Sequence, residues 1–219
     1  MFFAANVPSV AITLAESKSA AREIIRINPR FQIVIERAGF CSIGMAQPAH
    51  LRESNFSSLA SSIISQQLST KAAATIIQRV QELSGGSLQA KKLARISPAA
   101  LRKSGCSEAK TRAIRQLALA TVNREIPMQA LHRLSDDKIL EYLLPQFGIG
   151  KWTVEMFLMF QLGRQDVWPV GDLGVRRGWE KLHRLRSEIA PKRLQKIGEA
   201  YSPYRSHLAW YCWRALEVL

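Results

Sequence analysis

The sequence predicts an all-α protein. Three observations carry that expectation. Apolar residues return at three- and four-residue spacing along most of the chain. Serine and aspartate starters and Gly or Pro stops punctuate these stretches at ordinary helix lengths. Alternating strand patterns are scarce, and Phe31-Gln32-Ile33-Val34-Ile35, the one candidate, reads as strand or helix equally well.

The elements follow in order. Phe56, Leu59, Ala60, Ile63 and Ile64 mark one face of a helix. Ser69 caps a second helix, Thr70 to about Leu83, which stops at Gly85-Gly86. Ser97-Pro98 places an N-cap before proline at the first helical position, and Gly105 closes that short helix. Ser107 opens a helix to about Val122, and Ser135 one to about Leu144. After Gly150, Lys151 to Leu162 is apolar enough to be buried on most sides. Two last helices run from Pro191 to Ala200 and from Pro203 to the C-terminus. No repeat, low-complexity stretch or flexible linker interrupts them.

At 219 residues the chain suits one large domain or two tightly joined lobes. Its hydrophobic fraction of 47% excludes a disordered chain. With 31 Lys and Arg against 17 Asp and Glu, the formal charge is +14, which points to a polyanionic partner such as DNA or RNA. A merely basic housekeeping protein has the same charge. Cys41, Cys106 and Cys212 are too few and too scattered for a disulfide framework, a zinc site or an iron–sulfur cluster, and read as reduced thiols. The apolar start, Met1 to Pro8, lacks the basic residues of a signal peptide. No apolar run reaches 18 residues, so no membrane span is expected and the location is read as cytoplasmic, at the nucleoid.

Leu143 to Thr153 joins two of these helices through Gly148-Ile149-Gly150. Two glycines let backbone turn sharply and come close to a partner. The N–H groups that follow, beside Lys151, form a phosphate site in kind. The same tripeptide is also an ordinary tight connection. Downstream, Asp172 follows Trp168-Pro169-Val170-Gly171 and precedes a helical stretch, which on local grounds makes it an N-cap.

The hairpin, the apolar helix after it and the Pro-x-x-Asp-Leu turn together resemble the helix-hairpin-helix DNA glycosylases, with Asp172 standing 22 positions after Gly150. Three further segments share the resemblance: Ile63 to Ala73, Leu101 to Lys110, and Tyr201 to Ser206 running into Trp213. It covers roughly residues 55 to 217 and is nearest to the alkylpurine branch. It implies a two-lobed helical fold, residues 1–60 with 175–219 in one lobe and 61–174 in the hairpin lobe, with DNA in a central cleft. The N-terminal β domain of longer bacterial relatives has no room in this chain.

The resemblance also implies roles. Asp172 is the catalytic carboxylate, stabilising an oxocarbenium-like sugar once the nucleotide is flipped out. Trp152, Met156 and Trp213 border the base, whose positive charge favours aromatic faces. Met156 stands where some relatives have an aromatic. Bifunctional members carry a lysine where this chain has Trp152, so Schiff-base chemistry is not expected. Gln66 and Gln67 occupy the intercalating segment, Gln67 being the plug, although either also suits a helix C-terminus. Gly148, Gly150, Lys151 and Thr153 meet the DNA backbone. Glu155 reads as a structural polar contact rather than a second acid. The chemistry requires no cofactor, while the carbonyls of Leu144, Gln146 and Ile149 offer a site for a monovalent or divalent cation. The implied partner is damaged double-stranded DNA, met by a monomer. Rival readings are a glycosylase for deaminated, etheno or oxidised purines, a non-catalytic hairpin DNA-binding protein, and a basic RNA-binding module, which lacks any RNA motif.

Overall fold

The computed structural model describes residues 11–45 and 53–219. The apolar N-terminal segment Met1 to Pro8 lies outside the described residues. The helices are α1 (Leu14–Ile27), α2 (Gln32–Ala38), α3 (Asn55–Ser65), α4 (Thr70–Leu83), α5 (Ala90–Leu93), α6 (Pro98–Lys103), α7 (Glu108–Val122), α8 (Asp136–Leu143), α9 (Lys151–Met156), α10 (Leu173–His183), α11 (Pro191–Gly198) and α12 (Arg205–Val218). Among the described residues the only extended pairing is an isolated bridge between Ile12 and Met45. The all-α expectation holds.

Local chemistry sets most helix starts. The side chains of Ser69, Ser97, Ser107 and Ser135 each accept the N–H three residues on, at the start of α4, α6, α7 and α8. A capping box of Thr13 and Glu16 opens α1. Residues 31–35 resolve as helix: Asn28 caps the turn Pro29–Phe31, which runs directly into α2. Beyond α9 the chain stays helical but widens into a π-type turn over Phe157–Gln161.

The chain divides into two units, one taking in the described residues 53–157, the other 11–45 and 158–219. In the first, α3 packs on α4 and α7, burying Phe56, Leu59, Ala60, Ile63 and Ile64, the face expected from the sequence. Asn55 anchors its start by donating to the Met128 carbonyl at 2.7 Å. In the second, α12 is central, packing on α1, α2 and α10. Leu208, Ala209, Tyr211, Cys212 and Ala215 on it are fully buried.

These boundaries differ from the lobes expected from the sequence. Residues 158–174 group with the second unit because their polar groups are met there. The Ser206 hydroxyl takes the Val167 N–H (2.9 Å) and donates to the Arg164 carbonyl (2.7 Å). Gln165 donates to the Ile43 carbonyl, Asp166 pairs with Arg205, and the Trp168 indole donates to the Leu194 carbonyl. Residues 53–60, by contrast, belong with α4 and α7.

Candidate active site

In the second unit a carboxylate is held in one orientation. Asp172 is the N-cap of α10, its Oδ1 accepting the Val175 N–H at 2.8 Å. The same oxygen accepts the indole N–H of Trp213, from α12, at 2.8 Å. The cap reading of Asp172 is therefore correct without exhausting the residue. An isolated cap needs no tryptophan, and the indole bond ties the carboxylate to a second helix.

Gly174 makes room for that bond. A Cβ there would stand 2.7 Å from Trp213 Cδ1 and 3.1 Å from Asp172 Oδ1, too close for either. Trp213 in turn stacks on Phe160, with ring centroids 5.7 Å apart and planes inclined by 26°. Phe160 is 53% exposed. An apolar ring left in solvent, stacked on the tryptophan that holds the carboxylate, is available to a ligand. Sequence reasoning missed Phe160, because an aromatic in an apolar helix reads as core. Gly174 carried a signal, since glycine in a helix costs about 1 kcal/mol relative to alanine and so marks a close approach.

The thiols of the chain are buried. Burial pushes the Cys212 thiol well above its ordinary range, and the charge of Asp172 adds to the effect. Cys41 is raised to about 12 by burial, and all three thiols are free and buried.

The first unit holds the hairpin and the turn between α3 and α4. Gly148 sits at φ 82°, where an L side chain is strained, and a Cβ would meet that of Ala113 on α7 at 2.8 Å. Gly150 needs neither allowance, with φ −96° and open space where a Cβ would lie. Gln66 and Gln67 separate clearly. Gln66, the C-cap of α3, donates through Nε2 to the Gly148 carbonyl at 2.9 Å, tying the turn to the hairpin. Gln67 is exposed and held at φ 58°, a conformation rare for a residue with a Cβ. Lys110 of α7 holds the turn from below, donating to the carbonyls of Ile64 (2.8 Å) and Gln66 (2.7 Å). These are orphan carbonyls of a helix end, which a cation satisfies well.

Along α9, Trp152 is 49% exposed and Met156 half-buried. Lys151 is exposed, its ammonium 3.7 Å from a carboxylate oxygen of the buried Glu155, which fits the structural reading of Glu155. The Thr153 side chain is buried at 4% exposure. Only its backbone N–H, in the first turn of α9, is of the kind that meets a phosphate. No group of three His, Cys, Asp or Glu able to hold a metal occurs among the described residues. No helix among them is long and apolar enough to cross a membrane.

A glycine hairpin opening a helix, a carboxylate-capped helix after it and an all-α frame define a helix-hairpin-helix protein. Residues 60–203 match the model of the HhH-GPD superfamily base excision DNA repair proteins, and the chain belongs to that family. It is 34% identical over 166 residues to DNA-3-methyladenine glycosylase 1 of Schizosaccharomyces pombe, covering 74% of this chain and 73% of that one. Among solved structures, the DNA-3-methyladenine glycosidase of Bacillus halodurans is similar at TM-score 0.77 and 36% identity, over 90% of this chain and 88% of the other. The 3-methyladenine DNA glycosylase of Schizosaccharomyces pombe, in complex with abasic DNA, is similar at TM-score 0.76 and 30% identity, over 89% and 95% of the two chains.

Proposed function

We propose that this protein is a monofunctional DNA glycosylase that hydrolyses the N-glycosidic bond of alkylated purines. The observation that carries the reading is the Asp172 carboxylate, held through Oδ1 by a helix N–H and by Trp213, beside the exposed ring of Phe160. The relatives' names supply the substrate class, since those proteins are 3-methyladenine glycosylases.

The chemistry fits one carboxylate. A purine alkylated at N3 or N7 is cationic, so it leaves C1′ as a neutral base, taking the electron pair of the glycosidic bond. The sugar becomes oxocarbenium-like, and a fixed anion close to it lowers the barrier without reorganising. Water then adds to C1′ and loses a proton, to Asp172 or to solvent. Flipping must come first, because the bond is out of reach inside the duplex. Gln67 is the side chain proposed to fill the gap, while Gln66 positions the hairpin. Trp213 and Phe160 offer aromatic faces to the cationic base, and Trp152 and Met156 are proposed as further residues of the base pocket.

The hairpin glycines and Lys151 are proposed to take a backbone phosphate. A cation there would be held by the carbonyls of Leu144, Gln146 and Ile149. Neutral oxygens suit a hard cation, and Leu144 lies at the end of α8, where carbonyls lack helical partners. The Gln146 carbonyl accepts the Ile149 N–H at 3.1 Å and keeps a second lone pair. Such an ion supplies positive charge to a phosphate. The partner is damaged duplex DNA, taken by a monomer at the nucleoid.

The test is base release from methylated duplex DNA, with strand breaks scored before and after alkali. Release with breaks only after alkali is expected, because Trp152 provides no amine for a Schiff base. Breaks without alkali would overturn the monofunctional reading, and absence of release would overturn the reading as a whole.

Trp213→Phe separates the indole N–H from the ring. The variant keeps an aromatic face for Phe160 but removes the indole donor that holds Asp172. A hydrogen bond to a charged group contributes about 1.5 kcal/mol, so the single-turnover rate is expected to fall about tenfold. A wild-type rate would mean that the indole bond is not needed to position the carboxylate.

A further inference from the structure

We propose that Arg112, seated on the ring of Phe147, is a second phosphate contact beside the hairpin, one that this chain has built from residues outside the glycine turn. The inference rests on the reading above that the hairpin meets DNA.

Phe147 directly precedes Gly148 and is 41% exposed, an uncommon place for a large apolar ring at a polar turn. Its ring is covered by a cation: the Arg112 guanidinium carbon lies 4.2 Å from the ring centroid. At that distance the ring holds the planar guanidinium by cation–π attraction while leaving its N–H groups unused. Among the described residues no carboxylate or carbonyl accepts from them. Arg112 therefore differs from its neighbours on α7. Lys110 is spent on the Ile64 and Gln66 carbonyls, whereas Arg112 is held by the Phe147 ring.

Its location follows from packing. The next residue, Ala113, is the one a Cβ at Gly148 would meet at 2.8 Å, so this turn of α7 seats the hairpin directly. Phe147 is the residue before Gly148, so a guanidinium seated on its ring stands beside the glycine turn proposed to meet a phosphate. A pre-oriented fork of N–H donors is the group that recognises phosphate oxygens in pairs. A surface pair whose only role is packing gives no reason for the donors to stay open.

Binding to a duplex carrying a tetrahydrofuran abasic site, measured by fluorescence anisotropy from 50 to 200 mM salt, tests this. Each neutralised phosphate contributes about 0.9 to the log–log salt slope. Arg112→Met keeps the apolar stem on the ring and removes the charge. It is expected to bind roughly tenfold more weakly at 50 mM, with the slope reduced by about 0.9. The gap from wild type then narrows about 3.5-fold by 200 mM. Phe147→Leu keeps the charge but frees it; it is expected to weaken binding severalfold with little change of slope. Wild-type affinity and slope in Arg112→Met would overturn the proposal, as would a lowered melting temperature with the slope unchanged. A wild-type protein without salt-dependent duplex binding would remove the glycosylase reading and this contact together, whereas a steep slope shared by both removes only the contact.

Discussion

Asp172→Asn is expected to abolish most base release while leaving the fold intact. Asparagine is as good an N-cap as aspartate, and its amide oxygen can accept from both Val175 N–H and the Trp213 indole. What it removes is the negative charge. If that charge stabilises the oxocarbenium-like sugar, its loss should cost about 10²–10³ in single-turnover rate, the scale of losing one preorganised electrostatic group. The melting temperature should move little. Asp172→Ala is the complementary variant: it also loses the cap, at about 1 kcal/mol of stability. Release of methylated purines by Asp172→Asn within a few-fold of wild type would sink the catalytic assignment and leave Asp172 as a helix cap.

Gly178→Ala should give a larger stability effect than a change at any exposed position. Gly178 is buried on α10 where that helix meets α12. A Cβ there would overlap the Cys212 carbonyl oxygen, far inside van der Waals contact, and stand 3.0 Å from the Cys212 Cα. The obstacle is backbone, so no side-chain rotation relieves it and the helices must part. Overpacking of this kind costs about 1–3 kcal/mol, and with backbone as the obstacle the upper end applies even after alanine's helix propensity is credited. For a chain of this length that lowers Tm by roughly 4–10 °C. Cys212 precedes Trp213, so the same displacement should loosen the indole from Asp172 and slow base release. Gly171→Ala is the control for stability, since its Cβ meets nothing within 4 Å. Equal melting temperatures for the two variants, by calorimetry, would show that α10 and α12 separate at little cost.

Much of the site was legible residue by residue because its chemistry is local. Asp172 read as a cap since the N–H it accepts lies three positions on, and the α4, α6, α7 and α8 starts follow the same rule. The buried face of α3 followed from period alone, since Phe56, Leu59, Ala60, Ile63 and Ile64 recur at three- and four-residue intervals. Gly148 read as a turn because φ 82° is a backbone property, fixed before anything packs on it.

Other features depended on contacts across long stretches of chain. Gln66 and Gln67 are chemically identical, and only the Gly148 carbonyl, 82 positions from Gln66, makes one a tether and leaves the other exposed. Phe160 and Phe157 sit in the same apolar helix, yet one is 53% exposed and the other 2%, since the neighbouring helices cover one side only. Thr153 follows the hairpin directly, and only packing decides that its side chain is buried and leaves its backbone to meet a partner. The unit boundary moved for the same reason: the polar groups of 164–168 find their partners on residue 43, α11 and α12. Sequence by itself determined the helices, their caps and the family, because these rest on backbone preference and short-range hydrogen bonds. Tertiary structure decided which exposed side chains are held in place, because a hydrogen bond or ring contact between distant residues exists only once the helices that carry them have packed.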